Sequence, residues 1–87
     1  MMENKDFTVV DVRTRAEFMG GNVAGSINIP LQEIVEREEE LKALKQPIIF
    51  CCASGNRSGQ ATHYFKQLGY ECENGGSWLD VNYNLSK

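Results

Sequence analysis

The chain has 87 residues, 41% hydrophobic and 24% charged, with a formal net charge of -3. That length suits a single domain over residues 1–87 with a modest core, and the composition is that of an ordinary globular chain and not of a disordered one. The acidic balance, with no Lys/Arg-rich run, excludes a diffuse positive field for holding nucleic acid.

The amino-terminal stretch MMENKDFTVVDVR lacks the apolar segment of a signal peptide, and no stretch approaches the ~20 apolar residues of a membrane span. A cytoplasmic location, without a membrane partner, is therefore expected. The three cysteines, Cys51, Cys52 and Cys72, are odd in number and lack zinc-ligand spacing, which fits free thiols in a reducing compartment. No metal is expected.

Phe7 to Val12 is β-branched and mostly apolar on both faces, the pattern of a strand covered on both sides in a parallel sheet. Thr14 has Glu17 three residues on, the capping-box spacing for a short helix that Gly20-Gly21 stops. Ser26 to Pro30 reads as a brief extended segment. Leu31, Ile34, Val35, Leu41 and Leu44 then recur at close to a helical period, with Glu36 and Glu38 to Glu40 on the solvated side, which predicts an amphipathic helix broken at most once.

Pro47 ends that helix and opens Ile48 to Cys51, a short apolar run expected to be a buried strand. A Gly-containing loop and a second helix follow, with Ala61, Phe65 and Leu68 on its buried face and Gly69 as its stop. His63 lies off that face and reads as a surface histidine. A short strand around Glu71 to Glu73, a Gly75-Gly76 turn and a last helical piece complete the chain, with Trp78 as a core plug. The predicted fold class is α/β, a small mainly parallel sheet of about four to five strands with helices on both faces.

The order strand, loop, helix around Cys52 aims backbone N–H groups and the positive end of a helix at one point, an anion site. A free thiol with a pKa of about 8.5 is only ~3% ionised at pH 7; the cup Ala53, Ser54, Gly55, Asn56, Arg57, Ser58 is expected to make Cys52 mostly thiolate. Ser54 and Asn56 are candidate side-chain donors to the cup, and Ser58 is a candidate helix cap. No Asp or Glu occurs from Gln46 to Tyr70, although the chain holds 12 acids, which also favours an anion there. Arg57 has two candidate jobs, reading a substrate's charge or pairing with Asp11 behind the loop. Arg13 and Glu17, four apart, are expected to pair locally.

The segment PIIFCCASGNRSG resembles the active-site segment of single-domain rhodaneses, where an apolar strand ends in Cys followed by x-x-Gly-x-Arg-Ser. Asp11-Val12-Arg13 with Glu17-Phe18, then Gly25-Ser26-Ile27-Asn28-Ile29-Pro30, and later Gly75-Gly76 and Trp78, are similar to that family's other elements in order and spacing. The resemblance implies a rhodanese-like fold and a sulfurtransferase. Cys52 would take sulfur from thiosulfate or a persulfide donor and pass it to a nucleophilic acceptor, a protein among the candidates, with no cofactor; Asp11 and Arg13 would support the site, and a monomer is expected. Asn22 departs from the histidine many members carry there.

Related dual-specificity phosphatases place five residues between Cys and Arg. Four separate Cys52 from Arg57, whereas five separate Cys51 from it. The Cys52 register is preferred because Pro47 to Cys51 supply the strand, which leaves a Cys-dependent phosphatase or arsenate-handling enzyme as the alternative. A non-catalytic rhodanese-like binding or sulfur-carrier module is the alternative of another class. Cys51 should point away from Cys52, because neighbours on a strand face opposite sides.

Overall fold

The computed structural model describes residues 6–86. In chain order it contains β1 (Thr8–Asp11), α1 (Arg15–Met19), β2 (Ile27–Asn28), a 3-10 turn (Leu31–Glu33), α2 (Glu38–Lys42), β3 (Ile48–Cys52), α3 (Asn56–Gln67), β4 (Cys72–Ser77) and α4 (Trp78–Ser86). The strands form one sheet in the order β2-β1-β3-β4, parallel at every junction. The predicted α/β class with a parallel sheet holds, at four strands.

Alternation along the two central strands divides the core. Val10, Ile48, Phe50 and Cys52 face one side, where Ile34, Leu41, Ala61 and Phe65 cover them. Val9 and Cys51 face the other, against Val23, Val81 and the half-buried Trp78 and Leu85. Helices therefore lie on both faces, and each central strand is apolar in both directions because neither face meets water. Phe50 and Phe65 stack with centroids 5.7 Å apart, which docks α3 on β3.

Four expectations need correction. Val35 is 53% exposed: the chain leaves Pro30 as a single 3-10 turn and becomes helical again only at Glu38, so Ile34 and Leu41 reach the sheet while Val35 does not. Leu68, placed on the buried face of α3, ends that helix and is 48% exposed.

The third correction concerns Gly75-Gly76, which do not form a turn. They lie inside β4, where Phe50 pairs with Asn74 and Cys51 with Gly76, leaving Gly75 as the extra residue of a bulge. A Cβ on Gly75 would sit 2.7 Å from Val81 Cγ2 and 2.8 Å from Ile49 Cγ2, so glycine there lets α4 pack directly on the sheet. Trp78, expected as a core plug, is only half-buried and lies under the Arg13 guanidinium, 4.8 Å from its ring centroid. Among the described residues, no helix is long and apolar enough to cross a membrane.

Candidate functional site

The carboxyl ends of β1 and β3 open on the same edge of the sheet, where parallel α/β folds carry their sites. Cys52 is the last residue of β3, and only three residues separate it from α3, which begins at Asn56. The tight return is made at Gly55, with φ +100°, the left-handed region that a side chain disfavours.

That return points the loop's donors back at the sulfur. Gly55 N–H donates to Cys52 Sγ at 2.9 Å and Ser58 N–H at 3.4 Å, while Ser58 Oγ lies 3.3 Å away. Burial of Cys52, which is 0% exposed, opposes ionisation, but the Ser58 hydroxyl and the backbone N–H groups of Ser58, Ser54 and Gly55 outweigh it. The thiol is therefore more acidic than an ordinary cysteine. Because α3 has 12 residues, its amino-terminal N–H groups and dipole add to the same preference.

The other two thiols are shifted in the opposite direction. Cys51 faces the opposite side of the sheet and is pushed up to about 12 by burial and by Asp11. Burial also raises Cys72, whose Sγ lies 3.5 Å from the Thr62 carbonyl. Cys51 and Cys52 thus point apart, as strand alternation requires.

Of the expected loop residues, Gly55 and Ser58 converge on the sulfur through N–H groups, and Ser58 through its hydroxyl as well. Ser54 contributes through its backbone. The side chains of Ser54 and Asn56 are not among the donors to Sγ, and Ala53 is exposed in the loop. Ser58 is not the helix cap: Gly55 holds that position without a side-chain bond, and Ser58 stands in the first turn with its hydroxyl donating to Asn74 Oδ1 at 2.6 Å.

The arginines choose different partners from those expected. Arg57 pairs with Glu17, Nη1 to Oε1 at 2.8 Å and Nη2 to Oε2 at 3.1 Å, and not with Asp11. Arg13 takes Asp11 instead: Nε lies 3.0 Å from both carboxylate oxygens and Nη2 lies 2.8 Å from Oδ2, while the Arg13 backbone N–H donates to Oδ1 at 2.9 Å. Arg13 reaches only the backbone carbonyl of Glu17, at 3.3 Å.

The reason for this exchange is local. Asp11 and Arg13 are two residues apart and close a turn at the end of β1. The Glu17 carboxylate is brought to the start of α1 by the predicted capping box, with Thr14 N–H on Oε1 at 2.9 Å, and there it meets α3. Its carboxyl is lowered to about 2, first by the Arg57 bond and then by the Thr14 N–H.

Two residues of the site had no individual role in the sequence reading. Asn74 on β4 bonds Ser58, Gly55 O and Gly76 N–H, and nothing in its neighbourhood in the chain signals this. Asn28 Nδ2 donates to the carbonyls of Asp11 and Arg13, at 3.0 and 2.9 Å, and braces the end of β1; it belongs to the Gly25–Pro30 motif, which was the available signal.

A recess of about 100 Å³ lined by Val12, Thr14, Pro30, Leu31, Gln32 and Arg57 opens at this edge. A larger apolar cleft of about 500 Å³, bordered by Phe7, Pro47, Ile49 and Val81, lies at the opposite end of β3, and its lining includes no cysteine or histidine. Among the described residues, no cluster of three His, Cys, Asp or Glu could hold a metal. His63 is exposed on α3, 3.2 Å from Gln67 Nε2.

Comparison with known proteins gives a consistent result. Residues 1–80 match the rhodanese-like domain family. The chain is 36% identical over 61 residues to the uncharacterized protein YqhL of Bacillus subtilis, covering 70% of this chain and 48% of that one, so it spans about half of that relative's length. It is 35% identical over 74 residues to the thiosulfate sulfurtransferase PspE of Escherichia coli, covering 83% of this chain and 71% of that one. Among solved structures, a rhodanese with anions from E. coli superposes with a TM-score of 0.76 at 34% identity, over 85% of this chain and 89% of that one.

Proposed function

Because this chain belongs to the rhodanese-like domain family, we propose that it is a sulfurtransferase whose Cys52 thiolate takes a sulfane sulfur from thiosulfate or a persulfide and delivers it to a thiophilic acceptor. The observation that carries the reading is the set of polar groups gathered on one thiol out of three: Gly55 N–H and Ser58 N–H donate to Cys52 Sγ, and Ser58 Oγ lies 3.3 Å from it. Thiolate, not thiol, is the nucleophile in sulfur exchange, and this set favours the charged form without a histidine base.

In the first half-reaction, Cys52 Sγ attacks the outer sulfur of the donor. The new Sγ–S bond forms as the donor's S–S bond breaks, and the leaving group, sulfite from thiosulfate, departs with the bonding pair. The product is a Cys52 persulfide anion. In the second, an acceptor nucleophile attacks the outer sulfur and Cys52 leaves as thiolate, restoring the starting state. No net electrons are required from outside the two substrates, and the same amides that hold the thiolate stabilise the charge at each stage.

Two features support this chemistry over phosphoryl transfer. Only four residues separate Cys52 from Arg57, which makes a small cup. The register that would give five begins at Cys51, a thiol turned to the far side of the sheet and held protonated. Cys52 is itself 0% exposed, so a donor reaches the sulfur only as the surrounding loop opens.

Intact mass after thiosulfate treatment tests the reading. A gain of one sulfur atom, removed by dithiothreitol, retained in Cys51→Ser and absent in Cys52→Ser, is expected. Release of phosphate from an aryl phosphate with no sulfur gain would replace the reading with a phosphatase, and neither activity would leave a binding module.

A further inference from the structure

Asn74 lies on β4, outside the thiol loop, and the orientation of its amide is set by two partners that cannot exchange roles. Nδ2 donates to the Gly55 carbonyl at 3.1 Å, and Oδ1 accepts from the Gly76 N–H at 3.0 Å. Ser58 Oγ is 2.6 Å from that same Oδ1, so the hydroxyl is the donor of this bond. The remaining neighbour of Ser58 Oγ is Cys52 Sγ, at 3.3 Å.

A serine hydroxyl has one proton to donate. While Cys52 is a thiol, S–H donates to Ser58 Oγ and Ser58 O–H donates to Asn74 Oδ1, and every atom is satisfied. Once the thiol proton has left to solvent, the sulfur only accepts. Cys52 Sγ and Asn74 Oδ1 then call on the same proton, and whichever loses it faces an oxygen lone pair at close range. We propose that Asn74 is a positioning residue that competes with the Cys52 sulfur for the single Ser58 hydroxyl proton, so that a side chain from β4 governs how readily the thiol ionises.

The competition resets within the proposed cycle. In the thiolate the Ser58 hydroxyl turns to Sγ, while Asn74 Oδ1 keeps the Gly76 N–H. When the persulfide forms, the charge moves to the outer sulfur, Sγ becomes a neutral divalent atom, and the hydroxyl returns to Asn74. The inference rests on Cys52 being the nucleophile. The titratable groups on the elements packed around the thiol and the Asn74 amide are Arg57 of α3, held by Glu17 of α1; Asp11 at the end of β1, held by Arg13; Cys51 of β3, turned away; Cys72 and Glu73 of β4; and Asp80 of α4, whose carboxylate would lie 4.0 Å from a Cβ on Gly76. None of them hydrogen-bonds to Ser58 Oγ or to the Asn74 amide.

Thiolate absorbance followed against pH in the full chain tests this, in Asn74→Ala and Asn74→Asp, each with and without Ser58→Ala. Asn74 is exposed, so both replacements spare the core. Removing the competitor in Asn74→Ala should raise the Cys52 ionisation constant about three- to tenfold, and Asn74→Asp, a stronger acceptor, should lower it. The Asn74→Ala effect should vanish in the Ser58→Ala background. If Asn74 only braces Gly55, both replacements loosen the Gly55 N–H and weaken the acid alike; that result, no change, or an Asn74→Ala effect that survives Ser58→Ala overturns the proposal. The titration uses no sulfur donor, so a protein that ionises as expected yet gains no sulfur defeats the proposed function and leaves the role of Asn74 standing.

Discussion

Arg57 lays two guanidinium nitrogens on the Glu17 carboxylate, at 2.8 and 3.1 Å, across 40 positions of chain. The pair ties the first turn of α3, which carries the thiol's donors, to α1 on the neighbouring loop. It also engages both terminal nitrogens of Arg57 and offsets its charge, which leaves less of that charge for any anion at the loop.

Glu17→Gln separates these two consequences. The Glu17 carboxyl is lowered in the fold to about 2 from an ordinary 4.5, so its stabilisation is present above about 4.5 and is lost as pH falls toward 2. Both side chains are about a third exposed, 33% and 38%, so solvent limits the contribution to below ~1 kcal/mol. Urea midpoints at pH 7 and pH 3 should therefore converge in the variant relative to wild type. In the sulfur-transfer assay, freeing Arg57 should lower KM for thiosulfate; a KM that rises would mean that Arg57 serves the loop's shape alone.

Arg13→Ala should be far more damaging than its position suggests. Asp11 is 0% exposed and Arg13 5%, and truncating one member of a buried pair typically costs about 3–5 kcal/mol because the remaining charge is left without a partner. On a small domain that is a large share of total stability, about 5–15 kcal/mol. Combining Arg13→Ala with Asp11→Asn should recover part of the loss in denaturant midpoint. Equal midpoints for the single and double variants would show that charge burial is not the cause.

Gly75→Ala tests the bulge. The added methyl meets Val81 Cγ2 at 2.7 Å and Ile49 Cγ2 at 2.8 Å, and overpacking of this kind costs about 1–3 kcal/mol. Gly59→Ala is the comparator, since its Cβ would approach only the Asn74 amide nitrogen, at 3.3 Å. Thermal melts should place Gly75→Ala clearly below Gly59→Ala; similar values would argue that α4 shifts to make room.

Iodoacetamide labelling should distinguish the thiols by charge, since all three are buried. Cys52, held below the ordinary thiol value, should be carboxamidomethylated at neutral pH at a rate that levels off early as pH rises. Cys51, pushed up to about 12, should remain unlabelled in the folded chain and react once urea is added. Peptide mapping that finds Cys51 modified first would reverse the assignment of the nucleophile.

The parts legible in the sequence share one property: their interactions close within a few residues. The Thr14–Glu17 capping box is an i to i+3 contact, Gly55 and Ser58 lie three and six positions from Cys52, and the opposed facing of Cys51 and Cys52 follows from strand geometry. The Gly75-Gly76 pair misled because a turn and a bulge use the same residues. Only the register against β3, where Gly75 has no partner of its own, separates them.

By itself the sequence determined the alternation of strands and helices, the loop that returns on Cys52 and the direction in which that sulfur points, because backbone sterics and short-range hydrogen bonds act between near neighbours. Tertiary structure alone decided that Arg57 meets Glu17 across 40 residues and that Asn74 meets Ser58 across 16. Those partners are chosen by the strand order β2-β1-β3-β4, which sets α1 beside α3 and lays β4 against β3. Charge and hydrogen-bonding capacity are carried by each residue, but which complementary group comes within 3 Å of it depends on how the whole sheet packs.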